Sequence, residues 1–257
     1  INSQDQALIE RDETGAGLYY TDESFAGRKI EAYYFYKNEE YGDVHTLGAR
    51  ASGKAAEKLS FALEGAMQLG DYLGQDRLAF GGNATARYSL PVETTPLALS
   101  AGAIYLPGDD HTTDRYEGWN PIYSRWPKWR DLFIYTLTKD PAGGPAYWQN
   151  IASGWFGLDF TPMKRCTLEG RLYMMWAPEA ARWNYCGPSC PAISWESDDF
   201  DYRGTLSILR LNVRVNTYLE GQLIWERFEP GAYYDQTEHD PTNDAAHFLR
   251  WEMLFKY

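Results

Sequence analysis

"KLSFALEGAMQLG", residues 58–70, is the stretch whose reading decides the fold. Leu59, Phe61, Leu63, Gly65, Met67 and Leu69 fall on one side of an extended chain, and Ser60, Ala62, Glu64, Ala66 and Gln68 on the other. Successive side chains of a strand point to opposite faces, so this period of two predicts a strand that is apolar on one face and polar on the other. The stretch is longer than the ~5–6 residues of an ordinary globular strand. It exceeds the ~9–11 residues that a tilted strand needs to cross a bilayer.

The alternation continues outward in both directions. In "RLAFGGNATARYSL" (77–90), Leu78, Phe80, Ala84, Ala86, Tyr88 and Leu90 oppose Arg77, Asn83, Thr85, Arg87 and Ser89. In "RCTLEGRLYMMW" (165–176), Cys166, Leu168, Leu172, Met174 and Trp176 oppose Arg165, Thr167, Glu169, Arg171 and Tyr173. "LRLNVRVN" (209–216) repeats it, and so does the terminal "AHFLRWEMLFKY" (246–257), where His247, Leu249, Trp251, Met253, Phe255 and Tyr257 share one face. Eleven such segments are predicted, at 13–21, 28–37, 44–54, 58–70, 77–90, 96–106, 147–160, 165–177, 203–215, 219–227 and 246–257. "DLFIYTLT" (131–138) reads as a further strand inside a long loop.

The connections sort by length. Short ones fall near 55–57, 91–96, 161–164 and 216–218, a modest one at 71–76, and long ones at 107–146, 179–201 and 228–245. Short turns at one end and long loops at the other, joining long alternating strands, predict an all-β, antiparallel transmembrane β-barrel of the outer-membrane type. The long loops are then extracellular. A complete bacterial single-chain barrel has an even strand number. The expectation is therefore a single barrel domain over 1–257 that forms the C-terminal part of a larger even-stranded barrel. The competing reading is a soluble all-β sugar-binding or hydrolytic domain.

Composition narrows the function classes. Mean hydropathy is −0.53, and no run of ~18 apolar residues exists to form a helical span. The chain carries 20 Tyr and 10 Trp, rings that suit membrane interfaces and carbohydrate surfaces. A net charge of −12 argues against non-specific nucleic-acid binding. There is no P-loop, dinucleotide fingerprint or nucleophile elbow. His45, His111, His239 and His247 are scattered, and nothing fixes the separation of carboxylate pairs such as Asp198 and Asp199. No enzyme is expected.

The polar strand faces would line a watery lumen. They carry Arg50, Arg77, Arg87, Arg165, Arg171, Arg210, Arg214, Arg250 and Lys256, against Glu64, Asp159, Glu169, Glu220, Glu226 and Glu252. The predicted lining is thus net basic inside a strongly acidic chain. A narrow basic bore concentrates anions, and arginine grips carboxylates bidentately. The alternative is that these charges pair across strands and only stiffen the wall. In "GWNPIYSRWPKW", Trp119, Tyr123, Trp126 and Trp129 have three readings: sugar stacking, a plug in the barrel mouth, or a belt at the lipid interface. Cys186 and Cys190 flank Gly-Pro-Ser, which allows a local disulfide in an oxidising compartment or two free thiols. Glu238, Asp240 and Asp244 cluster oxygens that suit Ca²⁺, or form a solvated acidic loop. No other cofactor is expected.

The C-terminal hairpins carry a family resemblance. "RGTLSILRLNVRVNTYLEGQLIWERFEPGAYY" (203–234) contains a W/Y-E-R-F-x-P-G-x-Y motif at Trp225, Glu226, Arg227, Phe228, Pro230, Gly231 and Tyr233. With the aromatic terminal strand, "KIEAYYFY" (29–36), "HTLGARASGK" (45–54) and the loop 108–129, it resembles the bacterial alginate-export family of outer-membrane proteins. The resemblance implies a channel for passive export or diffusion of an alginate-like anionic polysaccharide or of small anionic solutes, with an electropositive constriction. It implies the bacterial outer membrane as location, and outer-membrane lipid and the barrel-assembly machinery as partners. Trp251, Phe255 and Tyr257 would form the assembly signal, Tyr257 standing where Phe is usual. The alternative function is a scaffold barrel with a plugged lumen that meets other envelope proteins through its acidic loops.

Overall fold

The computed structural model describes residues 13–92, 95–123, 149–179, 182–185, 193–196, 202–234 and 244–256. Among the described residues, eleven strands form one antiparallel sheet in chain order, interrupted only by a separate small hairpin between the eighth and ninth of them. They are β1 (Thr14–Asp22), β2 (Arg28–Glu39), β3 (Gly42–Ala56), β4 (Leu59–Tyr72), β5 (Gln75–Ser89), β6 (Leu97–Leu106), β7 (Ile151–Met163), β8 (Cys166–Trp176), β11 (Tyr202–Arg214), β12 (Leu219–Pro230) and β13 (Ala246–Phe255). These are the eleven segments that alternation picks out. Two short strands, β9 (Arg182–Tyr185) and β10 (Ile193–Glu196), pair with each other inside the β8–β11 connection. The sequence predicts a loop over 179–201, without these two strands. The segment 131–138 lies outside the described residues.

Register places the faces. Leu63 pairs with Ala84, and Leu223 with Trp251, so apolar side chains meet on one surface of the sheet. That surface is bare: Leu63 is 52% exposed and Trp251 70%. Leu47, Phe80, Leu99, Phe156, Leu209 and Leu249 share it. So broad an apolar surface is not stable against water. From Leu59 to Leu69 it spans about ten steps of ~3.3 Å on a strand tilted by ~45°, roughly 23 Å of height. An outer-membrane barrel presents an apolar band of ~25 Å to lipid.

The opposite face holds the buried polar residues Glu31, Lys37, Gln68, Arg77, Asp159, Arg210 and Glu226. It is not polar throughout. Towards the long-loop end of β7–β12, Ile151, Tyr173, Met175, Leu206, Ile208, Ile224 and Phe228 form a buried cluster on this same inner face. The simple rule that one face is polar fails there, because Leu206, Ile208 and the outward Leu209 make both faces apolar. Such a run reads as a strand covered on both sides.

One connection is shorter than its sequence indicates. The modest loop at 71–76 is a two-residue hairpin turn with Leu73 at φ 54° and Gly74 at φ 83°. Two positive φ values define the primed turn that matches strand twist, and glycine adopts them freely. β1 and β13 are the unpaired edges of the sheet among the described residues, and they run in the same direction.

Candidate functional site

At the short-turn end of the inner face, charges from β5, β7, β8 and β11 join into one network. The register aligns Arg87 with Ser100, Gly157 and Arg171 along one row. The adjacent row aligns Ala98, Asp159, Glu169 and Arg210. The small Ala98 and Ser100 on β6 leave room for Arg87 to reach over that strand and touch the Asp159 carboxylate. Arg171 approaches Asp159 from the other side, Nη2 to Oδ1 at 2.6 Å. Arg210 donates to Glu169 at 2.8 Å, and Asn212 donates to the other Glu169 oxygen at 2.9 Å. Gly157 is required by this packing, because a Cβ there would lie 2.6 Å from Arg171 Cδ. The guanidinium of Arg171 lies 5.8 Å from the Trp155 ring. Ser89, Thr161 and Thr167 complete a recess of about 520 Å³ beside Arg87 and Arg171. Among the described residues, three guanidinium groups share two carboxylates here.

A second network spans β1–β5. Lys29 pairs with Glu31 at 2.8 Å, and Arg50 with Glu31 at 3.4 Å and Glu64 at 4.0 Å. Tyr19 donates to Glu31 at 2.7 Å and Tyr33 to Glu64 at 2.8 Å, their rings stacked 5.8 Å apart. Lys37 joins Glu39 at 2.6 Å and Glu13 at 3.3 Å. At the short-turn rim Arg214 and Lys256 converge on Glu220 at 3.0 and 2.8 Å, and Arg250 contacts Glu252. Arg165 is exposed in a turn, donating to the Val215 carbonyl at 3.1 Å. Sequence reasoning missed Lys29, Glu31, Lys37 and Glu39. Tyr33 and Phe35 between them hide the polar alternation, although all fall on odd positions of β2.

Among the described residues Arg77 stands apart from both networks. It is buried, donates to the Gly118 carbonyl at 2.8 Å, and lies 4.6 and 5.3 Å from the Tyr116 and Tyr72 rings. Gly118 and Tyr116 belong to a strap, residues 107–123, that crosses the inner face from β6 back to β1. Trp119 lies over Gly81, where a Cβ would meet its ring at 2.8 Å. Asn120 donates to Glu39 at 2.7 Å. Tyr123 donates to the Thr14 and Tyr36 carbonyls, both at 3.3 Å. Trp119 and Tyr123 thus sit inside the sheet's curve, away from the outer apolar band. Trp126 and Trp129 lie outside the described residues.

At the long-loop end, Asn150 ties three connections together. Its backbone N–H donates to the Pro107 carbonyl at 3.1 Å. Its side chain donates to the Glu179 carbonyl at 3.0 Å and accepts from the Glu179 N–H at 2.9 Å. It also donates to the Tyr233 hydroxyl at 3.4 Å. Arg203, wholly buried, donates to the Asn150 carbonyl at 2.6 Å and lies 4.9 Å from the Tyr233 ring. The sequence carries no periodic signal for Asn150 or Arg203. Burial pushes the Glu179 carboxyl above its ordinary range, helped by the negative charges of Asp110, Glu117 and Asp109 and opposed by His111.

The remaining sequence candidates are peripheral. Trp251 and Phe255 point outward from β13 and are exposed. Asp244 is exposed, and among the described residues no three His, Cys, Asp or Glu side chains gather to hold a metal. Tyr257, Cys186, Cys190, Glu238 and Asp240 lie outside the described residues.

A long-stranded antiparallel meander, bare and apolar outside and lined with buried charge over much of its inner face, defines an outer-membrane β-barrel. The chain belongs to the alginate export family, whose model matches residues 9–248. It is an outer-membrane channel protein. Among solved structures, it is similar to the NanC porin at 8% identity and a TM-score of 0.42, covering 95% of this chain and 94% of that one. A chain from a structure concerned with the in-meso crystallization of membrane proteins is also similar, at 8% identity and a TM-score of 0.36, covering 97% and 78%. No curated protein matches the chain.

Proposed function

We propose that the channel favours anions and passes a carboxylated, alginate-like saccharide or small anionic solutes along its inner face. The network of Arg87, Asp159, Arg171, Glu169 and Arg210 carries this reading. Among the described residues its three guanidinium groups face two carboxylates, and Arg87 remains 47% exposed. Arg50, Arg214 and Lys256 add partly exposed cations along the same wall. Many weak contacts of this kind suit a sliding polyanion better than one tight site. Ion selectivity in planar bilayers tests the reading, with wild type set against Arg210→Glu combined with Arg214→Glu. Wild type should prefer chloride over potassium and the double variant should lose that preference. A wild type that prefers cations sinks the proposal.

Two observations favour a second reading, a scaffold barrel with a plugged lumen and other envelope proteins as partners. The strap crosses the inner face, and the apolar cluster around Ile151 and Leu206 is buried on that face. A channel that conducts nothing in a bilayer would support it. Outer-membrane lipid is the partner of the outer band in either case, and Trp251, Phe255 and Tyr257 present the proposed signal to the assembly machinery. Since β1 and β13 run in the same direction, closure of an antiparallel barrel takes an odd number of further strands between them.

A further inference from the structure

We infer that Asp159 sets how long an anion stays in the channel, by competing with it for Arg87 and Arg171. The inference rests on the anion-favouring reading above. Asp159 is 8% exposed and lies between the two guanidinium groups, one oxygen towards each. That is the position a carboxylate of a passing solute would take, because guanidinium and carboxylate match in shape and charge.

The two arginines are not equally free to respond. Arg171 is pinned in the notch over Gly157, donates to the Gly170 carbonyl at 2.9 Å, and is only 15% exposed. Arg87 is half exposed beside the recess, and among the described residues its charge partner is Asp159. An entering anion therefore meets Arg87 first and must share it with Asp159. Glu169 cannot substitute in this role. It is 3.9 Å from Arg171 and is committed to Arg210 and Asn212.

Conduction requires binding that admits an ion and still releases it. Two unopposed arginines would hold a carboxylate too long. Asp159 lowers that hold while keeping the local charge positive.

The test records single channels of the purified full chain in planar bilayers, with trigalacturonate as probe and maltotriose as the neutral control. Asp159→Asn should lengthen trigalacturonate block roughly tenfold and raise the chloride-to-potassium permeability ratio. Maltotriose block should not change. Combining Arg87→Gln with Asp159→Asn should return the block to within about twofold of wild type. An unmoved block in Asp159→Asn, with weaker heat resistance on SDS gels, would reduce Asp159 to a brace and overturn the inference. If Asp159→Asn does not assemble, Arg87→Gln alone decides. It should shorten trigalacturonate block and spare maltotriose, and no change overturns the inference. A cation-selective wild type overturns both this and the reading it rests on. An anion-selective wild type with an unmoved Asp159→Asn overturns this one alone.

Discussion

Gln68 on β4 and Asn120 of the strap bond to each other twice. The Gln68 Nε2 donates to the Asn120 carbonyl at 2.7 Å, and the Asn120 N–H donates to the Gln68 Oε1 at 2.8 Å. The side-chain amide thus imitates a strand partner for the strap's backbone. Gln68 is fully buried beneath it, so both groups lose their water and depend on each other.

Replacing Gln68 by Leu keeps the size and removes both bonds. Leaving the half-buried Asn120 backbone groups unpaired costs up to about 1–3 kcal/mol each. The strap should then detach from the wall while the strands stay paired. Limited proteolysis should cut within 107–123 faster than in wild type, and single-channel conductance should rise. Unchanged conductance would mean that the strap does not narrow the path.

Gly157 and Gly65 make a matched pair of substitutions. A Cβ at Gly157 would lie 2.5 Å from Ser100 Oγ and 2.6 Å from Arg171 Cδ. Gly65 lies on the outer face, and a Cβ there would meet nothing within 4 Å. Gly157→Ala should push Arg171 off the wall, loosen its bond to Asp159, and lower the temperature of the migration shift on SDS gels. Gly65→Ala should leave that temperature unchanged or raise it slightly, since alanine restricts the unfolded chain. Equal behaviour of the two would contradict the packing described for Arg171.

The strand plan was legible because a lipid-facing sheet must alternate, and alternation is written residue by residue. Leu59 through Leu69 and His247 through Phe255 face as their parity dictates. Pairing was not legible. Arg87 meets Asp159 across an intervening strand, and only the register, with small Ala98 and Ser100 between them, brings the two together. The buried inner cluster escaped for a related reason. Alternation separates polar from apolar positions, but Leu206 and Ile208 are apolar on the face where water was expected. The turn at Leu73 and Gly74 escaped because leucine is an unusual residue at positive φ, and nothing in its chemistry marks that conformation.

Glu179 gives stability a pH dependence of definite sign. Its carboxyl is raised above the ordinary range, so the folded protein holds that proton more tightly than the unfolded chain does. Below the ordinary carboxylate range both states are protonated and the group contributes nothing. As pH rises past that range, the folded state must ionise a carboxyl facing Asp109, Asp110 and Glu117, and stability falls. Glu179→Gln should match wild type in Tm near pH 4 and exceed it at pH 7, with Trp fluorescence as the readout. A variant less stable than wild type at pH 7 would show that the charge is favourable where it lies.

Arg203 anchors the long-loop end. It has no exposed surface, donates to the Gln149 and Asn150 carbonyls at 3.2 and 2.6 Å, and packs against the Tyr233 and Tyr234 rings. Lysine can supply the charge but neither the planar fork nor the ring stacking. Arg203→Lys should therefore cost about 2 kcal/mol or more, and Arg203→Met should cost more again by leaving those carbonyls unmatched. Because Asn150 carries the same link to Pro107, Glu179 and Tyr233, the damage should spread. Protease sites in the 177–201 and 231–245 connections should open together in the Arg203 variants, whereas Tyr233→Phe, which loses only a 3.4 Å bond, should open them little. Cleavage confined to one connection would mean that the loops are anchored separately and that Asn150 does not couple them.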